Sequence, residues 1–240
     1  AFPQARVLGL VECGTHAVVA ASIAPWCTSE VAMATDLLPA KLAPEMLLMA
    51  DRNFYSFKLW QKAAASGAAL LWRVKSNLLL PVCQMLSDGS YLSTVFDSQD
   101  RSRKSGQRVR VIDYTLKGSA APVQRSYRLL TTILAPEAAP ALELAALYHE
   151  RWEAESVFDE FKTHMRSAST VLRSKTPALV QQELWGLLLA HFAIRQLMAQ
   201  AAWQHEVDPD RLSFTHALRV IKRKMPQAAA LPPCAVAALA

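Results

Sequence analysis

Cysteine is scarce in this chain of 240 residues: Cys13, Cys27, Cys83 and Cys234 are scattered and form no C-x-x-C pair. Neither a disulfide framework nor a zinc site is therefore indicated. Cys13 and His16 in ECGTH could in principle share a metal, but a tight turn between two strands explains them better. No apolar run reaches the ~18 residues that span a bilayer, no signal peptide is visible, and no internal repeat recurs. These absences predict a soluble chain in a reducing cytoplasm with no membrane partner. What is present is apolar bulk and positive charge. Hydrophobic residues make up 52%, enough to bury one sizeable core. The net charge of +6 and pI near 9.3 suit a polyanionic partner, although many unrelated proteins are as basic.

The segment YHERWEAESVFDEFKTHM carries Tyr148, Arg151, Glu155 and Lys162 at steps of three, four and seven residues. On a continuous α-helix at roughly 100° per residue these four share an arc of about 60°. Leu147, Ala154, Val157, Phe158, Phe161 and Met165 fall on a separate arc of roughly 100°, which suits a core. The first stripe matches a phosphate ligand: two cations for its oxygens, a phenol to donate, and a carboxylate that can hold a divalent metal. The same stripe also reads as a solvated face with i, i+4 ion pairs.

Along the chain, ARVLGLVE and HAVVAASIA read as a hairpin around CGT, and Ser29 as the N-cap of a helix through EVAMATDLLPA. EMLLMA has the length and apolar continuity of a buried central strand and ends at Asp51. Ser56 opens FKLWQKAAASG, Gly67 closes it, and ALLWRVK returns as a strand, which makes a βαβ unit around Asp51. Residues 76–135 read as antiparallel strands YLSTVFD, QRVRVIDYTL and SYRLLTTIL. From the loop between the first two into the start of the second, Arg101, Arg103, Lys104, Arg108 and Arg110 follow Asp100 without another acid, as phosphate contacts or as a solvated loop. Pro140 starts a helix running through about Met165. STVLRS reads as a short strand and basic turn, Thr176 and Pro177 open a core helix, and a last helix spans 211–225. There Arg219, Lys222, Arg223 and Lys224 decorate the helix end or touch DNA. His191 and Met198 read as packed residues, and residues 226–240 as an Ala/Pro-rich tail.

The Y-x2-R-x3-E-x6-K spacing resembles the signature helix of DDE transposases of the bacterial insertion sequence four family, and all four positions match. Asp51 in EMLLMADRNF stands where that family has its D-R-x-F acid, and LVECGTH, LLWRVKSN and LRSKTP look like the family too, from about residue 5 to 225. The resemblance implies an α/β fold with a ribonuclease H-like core, a mixed sheet flanked by helices. It places residues 1–75 and 136–225 in that core, with a β-rich insertion at 76–135 between the second and third acids. Asp51 and Glu155 would be those acids, catalytic and metal-ligating, with Mg²⁺ as cofactor and Mn²⁺ as substitute. Tyr148, Arg151 and Lys162 would bind DNA, and Arg52 and Lys75 in the matching segments are expected with them. Trp152 would stack on a base, or pack. His149 and Asp159 lie near the stripe without an assigned role.

The family's first acid sits on a strand upstream of the segment that opens this chain, so that strand is expected to be absent, and Glu12 is a poor substitute by position. The implied function is metal-dependent cleavage and strand transfer at transposon ends. The partner is double-stranded DNA, with a homodimer assembling on it in a bacterial cytoplasm. Two alternatives stand beside this: an inactive DNA-binding remnant lacking the first acid, and a host nuclease of ribonuclease H-like fold, which has less use for the cationic stripe.

Overall fold

A computed structural model describes residues 4–116, 125–165 and 172–228, and the chain divides into two compact units. The first comprises Ala1–Leu10 with Ala20–Trp152, and the second Val11–Val19 with Glu153–Ala240. The two strands β1 (Ala5–Val11) and β2 (Val18–Pro25) pair as a small sheet, as their apolar runs predict.

Most of the first unit is built on one six-stranded sheet. Its strands are β3 (Leu47–Ala50), β4 (Ala69–Arg73), β5 (Gln84–Met85), β6 (Tyr91–Val95), β7 (Gln107–Leu116) and β8 (Arg125–Thr131), in the order β3-β4-β8-β7-β6-β5. β3 and β4 run parallel, with Ala50 opposite Trp72, and every other pair is antiparallel. Residues 76–135 therefore do not form a sheet of their own. β8 takes the free edge of β4, setting Leu71 opposite Thr131, so the expected insertion extends the sheet that carries Asp51.

Alternation along the strands separates two faces. Leu70, Trp72, Val109, Val111 and Leu130 turn to one side, where they pack with Ala34 and Leu38 and with Leu59, Trp60 and Ala63. These belong to α1 (Glu30–Leu37) with its following turn and to α2 (Phe57–Ala64). Trp60 and Trp72 meet edge to face at 5.2 Å, a favoured aromatic geometry. Leu71, Ile112 and Leu129 turn to the other side, against Ala141, Leu144 and Tyr148 of α3 (Ala141–His149). Both helices on the first face start as expected: Ser29 Oγ accepts from Ala32 N–H at 3.1 Å and Ser56 Oγ from Leu59 N–H at 3.2 Å. Gly67, at φ +85°, turns the chain out of α2 towards β4, a conformation glycine adopts without penalty.

The start of α3 is fixed by side chains from the sheet. Pro140 gives it no side-chain cap, and instead Asp88 Oδ2 accepts from Ala141 N–H at 2.8 Å. Arg110 pairs with the same carboxylate, donates to Ser90 Oγ at 2.8 Å, and reaches the Ala139 carbonyl at 2.7 Å. It is fully buried on β7. The expectation of Arg110 as a phosphate contact is thus corrected, because alternation along β7 turns it inward to close the α3 junction. Burial works against the Asp88 charge, but hydrogen bonds from Ser90 and Ala141 and the Arg110 charge outweigh it and hold this carboxyl down at about 2.

The long helix expected from Pro140 to Met165 is not one α-helix. α3 is followed by a 3₁₀ turn, Glu150–Trp152, then α4 (Glu153–Asp159) and a π-helical turn, Glu160–Met165. Turns of different pitch break a 100° count. On α3 the buried residues are Ala141, Leu144, Ala145 and Tyr148, so Tyr148 lies on the core face rather than on an open stripe.

The second unit is organised by α5 (Pro177–Gln204), opened by Thr176 Oγ1 accepting from Leu179 N–H at 3.4 Å with Pro177 in the first turn. Ile194 and Met198 pack with Phe214 and Leu218 of α6 (Phe214–Ala228). The expectation of α5 as a core helix holds for one stripe only: Trp185, Leu189, Phe192, Leu197 and Trp203 are exposed. His191 and Met198 are packed, as read from sequence. α6 continues past residue 225 to Ala228, and residues 229–240 of the expected tail lie outside the described residues, as does 169–171 of the expected short strand.

Candidate functional site

In the first unit, the chain leaves β3 at Ala50 and turns at once, with Phe54 N–H donating to the Asp51 carbonyl at 3.0 Å. Asp51 is half-buried there, and Arg52 beside it is exposed. The parallel neighbour β4 ends at Arg73, whose guanidinium lies over the Tyr127 ring at 4.2 Å, and Lys75 follows in the open. Open α/β sheets gather ligand groups at such strand ends.

α3 completes this corner. Tyr148 is 2% exposed, and its hydroxyl donates to the Ala50 carbonyl at 3.2 Å, next to Asp51 in sequence. Burial pushes its phenol above the usual tyrosine range and the Asp51 charge adds to this, while Arg151 and Arg73 pull the other way. Arg151 reaches over two rings, at 5.7 Å from Tyr148 and 5.0 Å from Trp152. Trp152 is 47% exposed, so the indole is not packed away in this unit. Asp51, Arg73, Tyr148 and Arg151 thus form one electrostatic group, with a carboxylate and two guanidiniums around a phenol that is committed to the backbone.

The basic segment leading into β7 is open: Arg101, Arg103, Lys104 and, on the strand itself, Arg108 are exposed. Gly106 among them is required by space rather than by φ. A Cβ there would stand 2.4 Å from Thr94 Cγ2 and 2.5 Å from the Phe96 ring.

In the second unit, Glu155 on α4 and Lys162 in the π-helical turn are both exposed, while Val157 is buried and Phe161 half-buried, as the core stripe predicted. Glu12 is drawn into its own turn, accepting from Gly14 N–H at 3.0 Å and Thr15 N–H at 2.7 Å. Burial opposes its charge, and bonds from Thr15 and Gly14 still hold its carboxyl below the usual range. The turn reading of ECGTH fits this geometry.

Sequence reasoning missed a buried polar network in the same unit. Glu160 pairs with Arg195, whose Nε donates to Oε2 at 3.2 Å, and His191 Nε2 donates to Oε2 at 2.8 Å. Arg195 Nη2 also donates to His16 Nδ1 at 2.8 Å, and His16 Nε2 lies 3.0 Å from both Glu153 Oε2 and Asp210 Oδ1. One signal was available: His191 and Arg195 stand four apart on an otherwise apolar stretch of α5, and ionisable groups at core spacing need partners.

Asp51 and Glu155 each offer the hard carboxylate oxygens that divalent ions such as Mg²⁺ prefer, so the two fit a metal in kind. Among the described residues no group of three His, Cys, Asp or Glu side chains is placed to hold a metal ion. Among the described residues, too, no helix is long and apolar enough to cross a membrane.

Residues 8–193 match the family described as Transposase DDE domain. Transposase InsG for insertion sequence element IS4, from Escherichia coli (strain K12), is 28% identical over 232 residues, which is 93% of this chain and 51% of that protein. The chain therefore spans about half the length of the curated relative it matches. A solved structure, the cryo-EM synaptic complex of piggyBac transposase with hairpin DNA, is similar with a TM-score of 0.51 at 12% identity, over 95% of this chain and 48% of that one. At that identity the likeness is one of fold.

Proposed function

Since this chain belongs to the Transposase DDE domain family, we propose that it serves the DNA chemistry of an insertion sequence: hydrolysis of phosphodiesters at the element's ends and transfer of the freed strand. DDE transposases use divalent metal ions, and we take Mg²⁺, with Mn²⁺ as substitute, for this chain. Bound metal would supply charge relief on the phosphate and activation of the attacking oxygen. Asp51 and Glu155 are the carboxylates that would hold it. The observation that carries the reading is the strand-end corner, where Asp51 leaves β3 one residue after the carbonyl that Tyr148 holds, with Asp51, Arg73 and Arg151 all acting on that phenol.

Each residue has a distinct task. Arg151 and Lys162 neutralise backbone phosphates, and Arg52 and Lys75 add contacts beside Asp51, whereas the exposed segment Arg101–Arg108, at the opposite end of the sheet, forms a separate cationic patch. Trp152 offers an exposed indole face on which an unpaired base can stack. Tyr148 holds the corner together from inside. The mixed sheet with an acid after a parallel strand supports a ribonuclease H-like core as the finer description of the fold. Double-stranded DNA in a bacterial cytoplasm is the partner, and a homodimer on DNA is the assembly. Titration calorimetry with Mn²⁺ tests the acids. Asp51→Asn and Glu155→Gln should each weaken metal binding, and unchanged heats in both would remove them from the metal role.

A further inference from the structure

Glu160 is a buried carboxylate two residues before the exposed Lys162, in the same π-helical turn. Both of its oxygens are held by α5: Arg195 addresses both, through Nε and Nη2, and His191 Nε2 donates to Oε2. A two-pronged guanidinium bond fixes the plane of a carboxylate, which apolar contact cannot do. Phe161 packs against the His191 ring at 4.4 Å, so two successive residues of the turn are held by one helix. π-helical turns are rare and favour functional positions.

The network reaches further within this unit. Arg195 also donates to His16 Nδ1, and His16 Nε2 stands at 3.0 Å from Glu153 and Asp210, outside hydrogen-bond alignment. This is not a metal site: with Nδ1 accepting from a guanidinium, the ring proton of the neutral imidazole sits on Nε2, which then has no lone pair to give. The His16 turn is thereby fastened to the side chain that holds Glu160, and the start of α4 and the 3₁₀ turn Pro209–Arg211 lie against the His16 ring.

We propose that Glu160 is a positioning residue: held by Arg195 and His191, it sets the rotation of the turn Glu160–Met165 and so directs Lys162 towards a DNA phosphate. This rests on the reading of Lys162 as a phosphate contact. The apolar pair Glu160→Met with Arg195→Met provides the test, because apolar replacements of a buried ion pair preserve stability while removing its directionality.

Affinity for a random-sequence DNA duplex is measured against salt, with and without Lys162→Ala, in the unchanged chain, in the double-Met variant and in Glu160→Gln. Thermal melting is followed alongside. In the unchanged chain Lys162→Ala should lower the salt slope by about one unit. In a Glu160 variant that melts normally it should change nothing, because the lysine no longer meets the phosphate. A full unit lost in both backgrounds overturns the positioning role and leaves the phosphate contact intact. A silent Lys162→Ala in the unchanged chain overturns the phosphate reading itself. Should the double-Met variant fail to fold, Glu160→Gln, whose amide nitrogen cannot accept from Arg195 and so breaks the two-pronged bond, carries the comparison.

Discussion

The hydroxyl of Tyr148 donates to the carbonyl of Ala50 at 3.2 Å, one residue before Asp51. A helix on one face of the sheet is thereby tied to the end of the strand that presents the acid. The phenol's hydrogen goes to the backbone.

Tyr148→Phe should therefore act on stability rather than on DNA. Loss of one buried hydrogen bond with the ring retained should cost about 1 kcal/mol in denaturant unfolding. The salt slope of DNA binding should stay as it was. A drop of one unit in that slope would return Tyr148 to the phosphate.

Arg151, Lys162 and Glu155 should separate in the same titration. Arg151→Ala and Lys162→Ala should each weaken binding and reduce the slope by about one unit. Glu155→Ala should leave metal-free binding unchanged or tighter, since it removes a negative charge near the polyanion. Equal, negligible effects of all three would make the stripe an ordinary solvated face.

Arg110 should differ from its neighbours in sequence. Replacing Arg101, Arg103 and Lys104 together by Ala should reduce the salt slope by up to about three units without altering the melt. Arg110→Ala should instead cost about 3–5 kcal/mol, the usual penalty for breaking a buried pair. Calorimetric melting of the two variants distinguishes these roles. A stable Arg110→Ala protein would contradict its place in the α3 junction.

Asp88 predicts an acid limb. Its carboxyl is lowered from 3.8 to about 2, so the stability it contributes is fully present above pH ~4 and is lost as pH falls through about 2. Asp88→Asn should lose stability at pH 7, because it also leaves the buried Arg110 unpaired, and should flatten the stability profile between pH ~4 and ~2. Unfolding curves at stepped pH, followed by tryptophan fluorescence, check it, and an unchanged acid limb in the variant would remove Asp88 as its source.

Local chemistry was legible in the sequence. Ser29, Ser56 and Thr176 each cap an amide three residues on, so hydroxyl and partner lie in one short window. The place of Asp51 at a strand end was legible because a short apolar run ending in an acid suits a buried strand meeting solvent. What escaped depends on contacts distant in sequence. Arg110 looks like one more cation in a basic loop until β7 alternation turns it towards Asp88. His16 and Arg195 are 179 positions apart, and nothing near either one names the other. Tyr148 was assigned to an open stripe because the count assumed one helix, whereas the 3₁₀ and π-helical turns after it have their own pitch.

The seam between β4 and β8 has a consequence in time. β3, α2 and β4 are neighbours along the chain, as are β5 to β8, so each set can assemble from nearby segments. Joining them requires Leu70 to reach Thr132, whose side chain accepts its N–H across 62 positions, and closing so long a loop is entropically costly before any contact repays it. We expect refolding to show two quick local steps and a slower union, with Thr132→Ala slowing only the last. The strand that leads to Asp51 would then be in place early, and the sheet that supports it would become whole only when the seam closes.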